Sequence, residues 1–312
     1  MLELLHRAEL TLPLFVLIAL GYALMRWAKW PPEVSSALTR FVFSVALPAL
    51  LFHMMMDFAK LPPVDARLLI AFFGSCLIVF LIGRVVAAKF FKLDGVSGSV
   101  FALGGIFSNN GMLGIPLARE LLGPSAMPSV ALILVFNALT LWTLVTISVE
   151  WAQHGSLSVK GFSKTLFSVL TNPLVACIIS GTLFSLSGLP MPAMLGSPLD
   201  MLAQSAVPLA LIALGMGLAE YGIGANWRLS LSISVFKIAV QPFVIWCLAR
   251  MLGLPRMETE VVVLLGSIAV GVNVYLMARQ FKVIEGEVAS SLVLSTALSA
   301  LSTPIALTLA AL

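Results

Sequence analysis

The segment 104–123 reads GGIFSNNGMLGIPLARELLG and sets amide side chains among apolar neighbours. Ser108, Asn109, Asn110 and Gly111 are poor helix formers in succession. Gly114 and Pro116 follow closely, and a proline inside a helix lacks a donor and clashes with the carbonyl four residues earlier. A helix carrying this string is expected to unwind or kink at its centre. An interruption leaves free N–H groups at the start of the second half-helix, and those donors, with the helix dipole, favour an anion. The alternative is a packing kink whose asparagines bond to neighbouring helices.

A second interrupted stretch, 261–281, reads VVVLLGSIAVGVNVYLMARQF. Gly266, Ser267, Gly271 and Asn273 weaken it without a proline, and Tyr275 follows. Other polar groups stand in apolar surroundings. Lys237 precedes Pro242, with Gln241 one helical turn on and on the same face. A lysine there is read as neutralising a bound anion or a half-helix C-terminus, or as snorkelling to the inner surface beside Arg228. His53 and Asp57 are also spaced to share a face and are candidates for proton coupling.

Enzyme signatures are missing. No H-E-x-x-H, phosphate-binding loop or dinucleotide glycine pattern occurs, and no carboxylate pair stands mid-membrane. The three cysteines, Cys76, Cys177 and Cys247, are far apart in apolar runs, which fits neither a metal site nor a disulfide framework. No cofactor or metal is expected.

These residues are carried by a chain made for lipid. Of its 312 residues 60% are hydrophobic and 10% charged, and the mean hydropathy is +1.07. Soluble domains carry about 25% charged residues. A helical span takes about 20 residues, so about ten spans fill the length and leave no room for a soluble domain. The apolar runs place them at about 10–27, 34–56, 66–90, 97–122, 127–151, 163–188, 197–219, 228–252, 259–281 and 286–311. The net charge of +4 is spread singly between these runs and does not point to nucleic acid. With the N-terminus outside, inner loops hold Arg26, Lys29, Arg84, Lys89, Lys92, Lys160, Lys164, Arg228, Arg279 and Lys282. The outer side then holds Arg7, Lys60, Arg67, Arg119, Arg250 and Arg256. That excess predicts both termini outside.

The halves echo each other at an offset of 160 residues. Pro13 matches Pro173, Gly21 matches Gly181, Pro32 matches Pro192, Pro48 matches Pro208, and Ala118-Arg119 matches Ala278-Arg279. Residues 1–152 and 163–312 then form two five-helix repeats around a central linker at 153–162. An odd span number inverts the second repeat, a recurrent carrier design with the site between the halves. At this offset Asn273 faces Leu113, so the two polar clusters are neighbours without being symmetric. Pro48 and Pro208 are expected to kink their helices.

At these motifs the sequence resembles the auxin efflux carrier family, which includes bacterial malonate and malate permease-like members. The likeness rests on SNNGMLGIPLARELLG at 108–123, NPLVACIISG at 172–181, AVPLALIALGMGLA at 206–219 and NVYLMARQF at 273–281. It implies an all-α membrane protein of ten transmembrane helices in two inverted repeats, with broken helices four and nine crossing near the midplane. It implies a scaffold of spans one, two, six and seven, able to carry a homodimer contact. The other six spans would form a transport domain with an elevator-like motion. The implied function is secondary transport of a small organic anion, a mono- or dicarboxylate such as malonate or malate, across a bacterial inner membrane. Coupling to H+ or Na+ stays open, and a sodium or proton exchanger on a similar broken-helix fold is the alternative. The candidate substrate residues are Ser108, Asn109, Asn110, Gly111, Gly114, Pro116, Gly271, Asn273 and Tyr275. Lys237, Gln241, His53 and Asp57 are candidates for charge compensation or coupling. The lead-in SIAVGV of span nine departs from the family's commonest pattern.

Overall fold

In lipid the backbone must bond to itself, which leaves helices or a closed barrel. The computed structural model describes residues 2–60, 63–154, 173–221 and 226–311. Among these the regular elements are all helices, and the single extended pairing is one isolated bridge. The first helices are α1 (Leu2–Arg26), α2 (Pro32–Phe41), α3 (Leu47–Met55), α4 (Arg67–Lys89), α5 (Gly95–Gly104), α6 (Ile115–Leu122) and α7 (Met127–His154). They are followed by α8 (Pro173–Ser187), α9 (Ala193–Glu220), α10 (Trp227–Val235), α11 (Gln241–Met251), α12 (Arg256–Ser267), α13 (Val272–Phe281) and α14 (Glu285–Ala310). Six helical stretches are long and apolar enough to cross a membrane. The expected spans four and nine fall short of that length because each is divided, into α5 and α6 and into α12 and α13. Leu12, Val16, Leu81, Val85 and Leu301 are exposed on the outside of the bundle, where lipid replaces a soluble protein's polar coat.

Several expected bounds move. α1 begins well before residue 10, and its early turns are anchored by charge. Arg7 Nη2 donates to Glu260 Oε1 of α12 at 3.1 Å, and Arg256 Nε donates to the same oxygen at 3.1 Å. Glu260→Gln removes a charge that pairs with both guanidiniums. It is expected to cost on the order of 1–3 kcal/mol, read as a lower melting temperature in detergent. α7 runs to His154, inside the expected linker. The rest of the linker, the expected start of span six, Lys160 and Lys164 lie outside the described residues.

Prolines divide into two groups. Pro48, Pro116 and Pro242 each follow a five-residue π-turn, at Val42–Ala46, Asn110–Gly114 and Phe236–Val240. In each, the residue before the proline donates to the carbonyl five back: Leu47 to Val42, Ile115 to Asn110, Gln241 to Phe236. The widened turn moves aside the carbonyl that the proline ring would strike. Pro116 therefore sits in a continuing helix, and the break expected around it lies earlier, at 105–109. Pro13, Pro198, Pro208 and Pro304 stand within plain α-helix. Pro48 thus has a local irregularity and its counterpart Pro208 has none.

Glycines bring backbones into direct contact, as in other membrane helix pairs. A Cβ on Gly215 of α9 would overlap Ile18 O of α1, and one on Gly21 of α1 would overlap Ile212 O of α9. Likewise a Cβ on Gly181 of α8 would lie 2.8 Å from Phe52 O of α3. α1, α3, α8 and α9 are joined in this way.

Candidate functional site

The first broken segment starts from a strong cap. The Asp94 carboxylate accepts from Val96 N at 2.8 Å, Ser97 N at 3.0 Å and Ser97 Oγ at 2.6 Å, which begins α5. The Ser97 hydroxyl and amide bonds hold that carboxyl below its usual range. The helix stops at Gly104, and the chain runs extended through Ser108 before turning again at Asn110. The second segment behaves alike: α12 stops at Ser267 and α13 starts at Val272.

The two gaps cross as an antiparallel pair. Ser108 bridges Val270, Asn109 N donates to Ala269 O at 3.0 Å, and Gly271 N donates to Phe107 O at 2.7 Å. Val270 N donates to Ser295 Oγ of α14 at 3.0 Å. These bonds replace the helical bonds the gaps have lost. Gly271 permits the crossing, since a Cβ there would lie 2.9 Å from Ser108 O.

Four half-helix ends meet here, and they are treated differently. The carbonyl ends are covered by polar side chains. Lys237, on the π-turn after α10, donates from Nζ to Gly266 O. Gln241 Nε2 donates to Ile106 O at 3.1 Å and contacts Cys76 Sγ at 3.5 Å, and Thr303 Oγ1 donates to Ser267 O at 3.3 Å. The N–H ends open instead onto a cavity of about 440 Å³. The first N–H groups of a helix have no partner within it, so they are available to whatever fills this space.

Ser108, Asn109, Asn110, Gly111, Gly271 and Asn273 line that cavity, as do Thr39 and Phe43 of the α2–α3 stretch, Asn137 of α7 and Leu174 of α8. Among the described residues that line it, none is acidic. Ser108, Asn109, Asn110 and Asn137 are nearly inaccessible to solvent. Yet Ser108 Oγ, Asn109 Nδ2, both Asn110 amide atoms and Asn137 Oδ1 have no hydrogen-bond partner among the described residues. Buried polar groups are ordinarily paired. The alternative of asparagines bonded to neighbouring helices therefore does not describe Asn110.

Other candidates lie elsewhere. Gly114 packs on Leu265 and Ile268, and Pro116 is buried inside the second half-helix. Tyr275 stacks edge-on against Tyr221 at 4.7 Å, because one helix cannot turn Asn273, Tyr275 and Leu276 the same way. Lys237 does not reach the surface, being fully buried, and with Gln241 it turns to the carbonyl ends rather than into the cavity. Asp57 falls beyond the end of α3, so helical spacing no longer brings it to His53. It pairs with Lys60 Nζ at 2.7 Å, while His53 Nε2 faces Asp200 Oδ1 at 3.5 Å. Asn137 escaped the sequence reading, although a lone amide in ALILVFNALTLW is a signal of the same kind as Asn110.

Known proteins resemble this chain along most of its length. A family model described as membrane transport protein matches residues 7–307. A protein of Rhizobium meliloti named "Putative malonate transporter" is 26% identical over 299 residues, covering 93% of this chain and 91% of its own. A transporter of Methanothermobacter thermautotrophicus is 27% identical over 300 residues, covering 95% and 96%. One of Methanocaldococcus jannaschii is 23% identical over 307 residues, covering 94% and 95%. The chain is a multi-pass membrane transporter and not an enzyme. The match takes in both broken segments and the helices that hold them: the chain belongs to the membrane transport protein family, the auxin efflux carriers its motifs resemble.

Proposed function

We propose that this protein is a secondary carrier for a small organic anion, a mono- or dicarboxylate such as malonate or malate. The observation that carries the reading is the cavity at the crossing. Among the described residues it presents two helix N-termini and five unpaired polar side-chain atoms, and no acidic side chain lines it. Helix N-termini and amide donors are the groups that bind carboxylates. The relative from Rhizobium meliloti bears malonate in its name, and malonate is the first substrate to try.

The inverted repeat is supported by contacts that exchange under the offset of 160. Gly21 meets Ile212, and Gly181 meets Phe52, which is the same pair with the halves swapped. The crossing bond joins Asn109 to Ala269, positions equivalent to each other. Such exchange is what a two-fold axis through the crossing produces, and it supports ten spans in two inverted repeats. In this reading α1, α2–α3, α8 and α9 make the scaffold, which carries the homodimer contact. The remaining helices carry the substrate past them in an elevator-like motion, with the cavity walled by both groups. Both termini face outward, and the carrier resides in the inner membrane.

Reconstituted vesicles test the site. Asn110→Ala is expected to lower labelled malonate uptake at least about tenfold, the value of one charge-assisted hydrogen bond, with native folding. Native uptake in both Asn109→Ala and Asn110→Ala would remove the site from the mechanism.

A further inference from the structure

Lys237 is fully buried, and among the described residues no carboxylate lies within ion-pair distance of it. An uncompensated ammonium inside a protein costs several kcal/mol. What compensates this one is neutral. Its partner, Gly266 O, belongs to the last turn of α12, where carbonyl dipoles sum to about half a negative charge. Gln241, one turn further along, binds Ile106 O just beyond the end of α5. Two carbonyl ends, each the negative pole of a half-helix, thus converge on one side of the crossing, and Thr303 covers a further carbonyl there. Neutral carbonyl oxygens and half-helix C-terminal ends, with no carboxylate among them, are groups that coordinate monovalent cations.

We propose that the Lys237 ammonium is a tethered cation filling a monovalent cation site built from the carbonyl ends of the two broken helices. A chain lacking that side chain would bind a free cation, Na+ or a small alkylammonium, in its place. The π-turn at Phe236–Val240, imposed by Pro242, aims the side chain at the crossing. Under the carrier reading above, the anion site forms without a free cation at this place.

Lys237→Ala leaves the carbonyls and opens a space the size of the lost chain. Purified in choline buffer, it is expected to melt roughly 5 °C or more below the native protein. Sodium or ethylammonium chloride should restore part of that loss, and choline chloride at equal ionic strength should not. Lys237→Met fills the space without a charge and should stay low in every salt. A folded Lys237→Ala indifferent to the cation would overturn the proposal, as would native melting of Lys237→Met. If Lys237→Ala yields no folded protein in any salt, Lys237→Gln decides. That variant keeps a donor for Gly266 without the charge, so native melting overturns the proposal and a lowered melting point supports it. The melting readout needs no substrate. A native protein that moved no malonate would end the carboxylate reading and leave this one standing.

Discussion

Gly215→Ala is expected to break the packing of α9 on α1. Its Cβ would overlap Ile18 O and lie 2.8 Å from Ile18 C and 2.9 Å from Tyr22 N. All three are backbone atoms of one helix, so no side chain can rotate away and the two helices must separate. Overpacking of this kind costs about 1–3 kcal/mol where side chains yield, and a backbone obstacle puts this case at the upper end or beyond. Gly217→Ala, on the same helix, meets nothing within 4 Å and serves as the control. Thermal denaturation in detergent should separate the two variants clearly. Equal melting temperatures would mean that the close approach of α1 and α9 is not a principal support of the fold.

Asn110→Asp is expected to abolish carboxylate binding at neutral pH while leaving the protein folded. The substitution keeps the side chain's size and places a negative charge where two helix N-termini open. Those N-termini stabilise the new carboxylate and so keep it ionised. A like charge about 4 Å from a bound carboxylate costs about 4 kcal/mol at an effective dielectric constant of 20. Allowing for relaxation, a loss of about 100-fold in affinity is the expected result, or roughly 2.8 kcal/mol. Titration of malonate by thermal shift, in which a ligand of the native state raises the melting temperature, reads the loss directly. Undiminished binding would show that the anion sits elsewhere.

The broken helices were legible because breaking a helix takes local residues. Gly105, Ser108 and Asn109 fall in the first gap and Gly271 in the second. The position of the first break was less legible. Pro116 looked like its cause, but the π-turn that accommodates a proline depends on how neighbours hold the widened turn. Lys237 was conspicuous by charge alone, whereas its partner Gly266 lies on another helix, and no spacing within α10 and α11 points there. The same holds for Arg7 with Glu260 and for Asn137, whose exposure to the cavity is decided by how α7 packs. The His53 and Asp57 pairing failed for a local reason, since the helix ends between them. Membrane helices are read well one at a time, but the contacts that make a site join residues far apart in the chain.

The crossing itself is tied by main-chain atoms. Asn109 and Gly271 contribute their N–H groups, Phe107 and Ala269 their carbonyls, and apart from the space that Gly271 must leave, none of these bonds depends on side-chain identity. The frame of the pocket and its chemical lining are therefore separable. Side chains at 108–110 and 272–273 can change from one carrier to the next without rebuilding the crossing. Such a frame can be retuned to a different ligand by a few substitutions at its centre.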